Sequence, residues 1–170
     1  IDRQRMLLYF YPPNDVKEKT ITLSTLEQNM FHVVGASNIK IEGLILEFGR
    51  GNAIFINNPK LDKEISLKSD NILVENCIIR NFNQWGVIIQ NAQNSTVNNC
   101  HIYNMGAGGV KLGNETRSFN LVIENNLVSN CEIYDIAFDQ KSQVPAITLS
   151  GNGNSARNNE IYNTVNYFQL

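Results

Sequence analysis

Two copies of one pattern lie end to end between Asn71 and Gly113: NILVENCIIRNFNQWGVIIQNAQ, followed by NSTVNNCHIYNMGAGGVKLG. Aligned on Asn76-Cys77 and Asn99-Cys100, the copies match corner for corner. Short alternating strands recurring at an interval in the low twenties, with Asn and Gly at the joints, bury their apolar residues by winding into a coil and stacking each turn on the last. The repeat therefore predicts an all-β solenoid, with residues twenty-odd positions apart becoming vertical neighbours.

The register extends both ways. One longer step back from Asn76 reaches Gly43, one step on from Asn99 reaches Asn125, and a further long step reaches Asn158. Five coils then share a corner column of Gly43, Asn76, Asn99, Asn125 and Asn158. A second corner, five residues on, reads Phe48, Asn81, Asn104, Asn130 and Asn163. Before the first corner, Ile41, Val74, Val97, Ile123 and Ala156 form an inward row, and Glu42, Glu75, Asn98, Glu124 and Arg157 an outward one, because side chains alternate across a strand. Leu46, Ile79, Ile102, Val128 and Ile161 form a second inward row. The third strand supplies Ile54, Val87, Val110, Ile147 and Phe168, then Ile56, Ile89, Leu112, Leu149 and Leu170. Three apolar rows per coil predict a triangular prism of three sheets. The 26 asparagines follow from the corners, since Asn tolerates the left-handed conformation and its amide can bond the equivalent amide about 4.8 Å away on the next coil.

The 170 residues read as one domain, with N-terminal strands and a partial coil over 1–37 and coils over 38–170. Strands are expected in MLLYFY, halted by Pro12-Pro13, and in TITLSTL. Steps longer than the one from Asn76 to Asn99 place loops at 58–70, 114–120 and 132–144, where solenoids often carry function. Fourteen basic and 16 acidic residues are spread evenly, for a net charge of −2, so neither nucleic acid nor an anionic membrane is an expected partner. Apolar runs are too short to span a bilayer. Cys77 and Cys100 share a column that permits a disulfide or, as the favoured reading, a stack of buried free thiols, with Cys131 outside it. The chain starts at Ile1 and ends in what the register gives as mid-strand, which predicts missing downstream coils or end-to-end stacking on another chain.

Chemistry is sparse. The outward row His32, Phe55, Ile88, Lys111, Thr148 and Gln169 could floor a sugar groove, with Trp85, Glu115 and Arg117 at its edge and Arg50 as a further contact. Trp85 would stack on a ring; Lys111 or Arg117 would pair with hydroxyls or an anionic sugar. His101, with Tyr103 two residues on, could act as a general base. In this register no carboxylate occupies the next coil of its column, Glu160 lying two coils away, so a structural histidine is favoured. Glu124 and Arg157 read as a surface ion pair, and Glu75 and Glu124 as part of a solvated face. The six Asp residues share no column, so neither a calcium site nor another cofactor is expected. The glycosylation patterns at Asn94 and Asn114 are expected by chance in so Asn-rich a chain.

Taken together, LYFYPP (8–13), NIKIEGLILEFGRGNAI (38–54), VENCIIRNFNQWGVII (74–89), CHIYNMGAGGVKL (100–112) and PAITLSGNGNSARNNEIYN (145–163) resemble the right-handed parallel β-helix proteins of the pectate-lyase-like superfamily. The chain is similar in particular to large carbohydrate-active proteins of gut and soil Bacteroidetes that include glycoside hydrolases. The resemblance implies a polysaccharide or oligosaccharide partner, a secreted, periplasmic or cell-surface location, and hydrolysis, with lyase chemistry second. A non-catalytic glycan-binding or structural β-helix, as in adhesins and tail spikes, is the alternative. This chain has Asn114-Glu115-Thr116-Arg117 where the family usually has Gly-Asp-Arg, leaving Glu115 and Arg117 as its catalytic candidates. It has Val144-Pro145-Ala146-Ile147 where the family has Arg-Pro-Ala-Ile. The acidic residues such relatives use would lie on later coils, beyond Leu170.

Overall fold

The computed structural model describes residues 2–12, 15–57, 69–113 and 122–164, and within them every regular element is a strand. The first turns contribute β1 (Phe31–Val34), β2 (Ser37–Glu42), β3 (Ile45–Gly49) and β4 (Ile54–Asn57). The next supply β5 (Ser69–Glu75), β6 (Ile78–Phe82), β7 (Val87–Gln90), β8 (Ala92–Gln93), β9 (Thr96–Asn98), β10 (His101–Met105) and β11 (Val110–Leu112). Then follow β12 (Leu127–Ser129), β13 (Glu132–Ile136), β14 (Ile147–Leu149), β15 (Ser155–Arg157) and β16 (Glu160–Thr164).

These strands stack as three parallel sheets, one per side of the coil. The first sheet runs β2-β5-β9-β12-β15, with β8 also paired to β5; the second β3-β6-β10-β13-β16; the third β1-β4-β7-β11-β14. Each strand bonds to its counterpart one turn away, which satisfies its backbone groups without any sequence-adjacent pairing.

One coil departs from the sequence reading. Val97 pairs with Val128, not with Ile123, and Val128 pairs with Ala156, so the inward column runs Ile41, Val74, Val97, Val128 and Ala156. The fourth turn sits one corner later in the chain than the repeat suggested. Val128 and Ile133 therefore hold its inward positions, both fully buried, while Ile123 is 68% exposed. The first corner reads Gly43, Asn76, Asn99, Asn130 and Asn158, and the second Phe48, Asn81, Asn104, Asp135 and Asn163, all with positive φ. Asn125 belongs to a different corner, entering the first sheet, with Asn38, Asn71 and Asn94.

Positive φ explains the asparagines, and hydrogen bonds join them. The Asn71 amide donates to Asn38 Oδ1 at 2.7 Å, that of Asn99 to Asn76 at 2.7 Å, that of Asn104 to Asn81 at 3.3 Å and that of Asn125 to Asn94 at 3.0 Å. Each bond is worth about 0.5–1.5 kcal/mol net and fixes the left-handed corners one above another. Asn126 and Asn159 turn inward instead and accept from the backbone N–H groups of Ser95 and Cys131.

The same correction brings Cys131 into the column of Cys77 and Cys100. All three are buried free thiols, each donating to a carbonyl of the preceding coil: Ile41, Val74 and Val97 at 3.7, 3.8 and 3.8 Å. The hydrogen bond that the Cys100 thiol gives to Cys131, and then burial, push it far above its ordinary value, so it behaves as a packing group. The inward rows form one continuous core in which each fully buried Ile, Val or Leu contributes about 1.5–3 kcal/mol.

The other departures are local. Residues 132–136 of the expected 132–144 loop are strand β13. At the N-terminus, MLLYFY and TITLSTL form no strands; an antiparallel bridge joins Asp2 to Leu7, and the side chains from Met6 to Tyr11 are exposed. Alternating apolar residues without a neighbouring coil have no ladder to join. Phe168, Gln169 and Leu170 lie outside the described residues.

Candidate functional site

Two outward faces carry the chemistry. On the third sheet the expected row forms, His32, Phe55, Ile88, Lys111 and Thr148 pairing in register. Its side chains are largely used among themselves. His32 stacks on Phe55 at 5.1 Å between ring centroids, and Ile88 is only 8% exposed although it points outward. Lys111 Nζ lies 5.7 Å from the centre of the Trp85 ring, so the two predicted contacts do meet, as a cation–π pair. Trp85 precedes β7 at the corner between second and third sheets. Its backbone N–H donates to Asn52 Oδ1 at 3.0 Å, and its ring lies against Gly108 of the next coil, where any Cβ would collide with it. Arg50, at the same corner two coils earlier than Gly108, pairs with Glu27 at 2.5 Å. Glu115 and Arg117 lie outside the described residues.

The second sheet is different. Its outward face has two rows: Ile45, Ile78, His101, Glu132 and Glu160, and beside them Glu47, Arg80, Tyr103, Tyr134 and Tyr162. The corrected register puts Glu132 one coil above His101, and His101 Nδ1 approaches Glu132 Oε2 at 2.7 Å. A carboxylate accepts only, so Nδ1 carries the proton and Nε2 is left to the solvent side, on a side chain 54% exposed. The other Glu132 oxygen accepts from the Tyr162 hydroxyl at 2.5 Å. That hydrogen bond, before burial, raises the Tyr162 phenol above its ordinary value. Tyr103, Tyr134 and Tyr162 stack at successive 4.8 Å spacings with rings 5° from parallel. Burial in this stack raises Tyr134. At the far end Arg80 donates to the Tyr103 hydroxyl at 2.9 Å and pairs with Glu47 at 2.6 Å; both interactions raise the guanidinium further, Tyr103 first.

The first sheet offers a solvated network. Lys40 bridges Glu42 and Glu75 at 2.9 and 3.3 Å, and the Asn98 amide donates to Glu75 at 2.9 Å, holding that carboxyl below its ordinary value. Glu124 is not in this column, so neither the Glu124–Arg157 ion pair nor a Glu75–Glu124 pair forms. Arg157 pairs in register with Ser129, and Glu124 accepts from the Asn154 amide at 2.6 Å. Asn94 is tied into a corner ladder, donating to Asp70 and accepting from Asn125. Among the described residues, no group of three His, Cys, Asp or Glu side chains could hold a metal ion, and no helix is long and apolar enough to cross a membrane.

A family model for the right-handed β-helix region matches residues 14–168. The chain belongs to the right-handed β-helix family. No curated protein and no solved structure gives a significant match. The fold of this β-helix explains why sequence reasoning missed the His101–Glu132 contact. His101 and Glu132 are distant in the chain, and only the position of the fourth coil makes them neighbours. Cys131 was the available signal: it follows Asn130 as Cys77 follows Asn76 and Cys100 follows Asn99.

Proposed function

We propose that this β-helix serves a carbohydrate-active protein, laying a polysaccharide across the outward face of the second sheet and hydrolysing it there. The observation that carries this reading is the His101–Glu132 contact of 2.7 Å, with the second carboxylate oxygen held by Tyr162. A base oriented by a fixed carboxylate and open at its other nitrogen is suited to proton transfer.

Hydrolysis breaks the glycosidic C–O bond and adds the elements of water. His101 Nε2 takes a proton from the attacking water, while Glu132 holds the ring and balances the charge that forms on it. The leaving oxygen needs a proton in return. Tyr103 is two residues along the same face and offers one, because its oxygen already accepts from Arg80 and its own hydrogen is directed elsewhere. Arg50 and Trp85 at the corner between the second and third sheets, with Lys111 on the third sheet beside Trp85, form the rim, contacting sugars that extend beyond the reacting bond. A secreted, periplasmic or cell-surface location fits such a substrate.

The test is release of reducing ends from a panel of plant and algal polysaccharides by the wild-type chain and by His101→Gln. Activity lost in the variant with the fold retained supports the reading; equal activity in both removes His101 from the chemistry. The tyrosine ladder favours a second reading. Its rings face one another rather than outward, as in a surface built for rigidity, and a non-catalytic glycan-binding or structural module would then bind glycans without cleaving any.

A further inference from the structure

The charges around His101 bear on which glycan the site accepts. Among the described residues, the two outward rows of the second sheet carry three carboxylates, Glu47, Glu132 and Glu160, against one guanidinium, Arg80. Arg80 is committed at both ends, to Glu47 and to the Tyr103 hydroxyl. Glu132 is held by His101 and Tyr162. Glu160, the next residue along the row from Glu132, is exposed, and its carboxylate forms no hydrogen bond or ion pair with the described residues. Coils are about 4.8 Å apart, so the Glu160 charge lies roughly two coils, about 10 Å, from His101 along the row.

Screening confines the Glu160 field to about 8 Å at physiological salt, so it acts on the sugars laid over its own coil and the next, where it repels an anionic chain and leaves a neutral one unaffected. Elimination at a uronic acid has a further requirement. As the proton next to the carboxylate leaves, charge builds on that carboxylate and needs a cation to receive it. The one described cation on this face is already taken. Resting on the polysaccharide reading above, we infer that the site selects a neutral or amino-sugar polysaccharide and cleaves it by hydrolysis rather than elimination, with Glu160 as the residue that discriminates against uronate-bearing and sulfated chains. Glu160 acts on specificity, through charge, and takes no proton in the reaction.

The experiment compares three probes on the whole chain: a chitosan oligosaccharide, a neutral β-glucan oligosaccharide and an oligogalacturonate. It follows reducing ends, the absorbance of unsaturated uronide, and the affinity of the His101→Gln protein for each probe. The expected result is cleavage of a neutral or cationic probe at least about tenfold faster than the uronate, with no unsaturated product and affinities in the same order. Glu160→Lys narrows that preference by about five- to tenfold at low ionic strength, and Glu160→Gln narrows it by less. Preference for the oligogalacturonate, or a preference unmoved in Glu160→Lys, overturns the inference while leaving the polysaccharide reading standing; an unsaturated product overturns the inference and replaces hydrolysis by elimination, with a polysaccharide still the substrate. Neither binding nor cleavage of any probe by the folded wild-type chain overturns that reading itself, and the inference with it.

Discussion

The protein's two histidines occupy similar settings on different sides of the coil, and their fates diverge. Both point outward from a parallel sheet and meet the residue one coil above in the same register. His32, on the third sheet, lies against Phe55, and the row beyond it passes through the covered Ile88 to a lysine seated on Trp85. His101, on the second sheet, meets Glu132 through one nitrogen and leaves the other open. The backbone pairing is the same in both places, so the difference comes from what the register delivers one coil above: an aromatic ring in one case, a carboxylate in the other. A solenoid builds sites by vertical neighbours, and a change of coil length re-pairs a whole face.

The sharpest way to break this contrast is to remove each imidazole in turn. His101→Gln is expected to lower kcat by two to four orders of magnitude on a cleaved polysaccharide, with KM changed only slightly, which is the usual range for a lost general base. His32→Gln should leave kcat within about threefold and cost about 0.5–1.5 kcal/mol of stability from the lost ring pair. Glu132→Gln tests the positioning role. It should lower kcat less than His101→Gln does and move the pH at which activity appears, whereas a purely structural carboxylate would change the amount of folded protein and leave the pH profile in place. Equal losses for the two histidines would end the distinction between the faces.

The contrast also stands on the position of the fourth coil, and that can be tested without a substrate. Ile133, the fully buried inward neighbour of Glu132 in β13, should cost about 2–5 kcal/mol on substitution with Ala. Ile123→Ala should fall within about 0.5 kcal/mol of wild type, since that side chain is largely exposed. Chemical denaturation of the two variants reads the difference directly. The reverse order would restore the register expected from the repeat and separate His101 from Glu132.

How the sequence misled at this one coil is instructive. The repeat linking Asn76-Cys77 to Asn99-Cys100 is visible because corner, thiol and flanking strands all recur together, and the first three coils and the third-sheet rows follow from it. In the fourth coil two candidate corners compete: Ile123-Glu124-Asn125 and Val128-Ser129-Asn130 share an apolar, polar, Asn order. Both asparagines do stand at corners with positive φ, but at different ones. Local pattern could not separate them, because the shift from Asn125 to Asn130 is also the distance between two corners of the same turn. Trp85 and Lys111 were legible as separate residues of the third-sheet face because they fall on coils whose register was right, but not as partners of one another. The acid–base pair was not, since its partner arrives through the displaced coil. Glu115 and Arg117 lie outside the described residues.

A smaller effect distinguishes the faces at their edges. Lys111 caps the Trp85 ring, and Lys111→Ala should cost about 0.5–1 kcal/mol if that cation–π contact is what the lysine does for the fold. Its effect on turnover should appear as a severalfold rise in KM with kcat preserved, as expected for a rim contact distant from the reacting bond. A fall in kcat comparable to that of His101→Gln would move the chemistry to the third sheet.

The smallest expected effect is the dependence of the second-sheet face on alkaline pH. The Tyr162 phenol is raised by its hydrogen bond to Glu132, so folding favours the protonated form. A group whose proton is held more tightly in the folded state stabilises it fully below the unfolded value, near 10, and loses that contribution as pH rises through the higher folded value. Wild-type Tm should therefore fall more steeply above pH ~10 than that of Tyr162→Phe, which has no phenolic proton at this position to lose. Below that pH the variant should be slightly the less stable of the two, and the gap should close as the medium becomes alkaline. Because this hydroxyl also fixes the Glu132 oxygen opposite His101, the variant's activity should decline modestly even at neutral pH. A Tm difference that is constant from neutral to alkaline pH would mean that Glu132 is held by His101 alone, and that the tyrosine ladder ends without joining the acid–base pair.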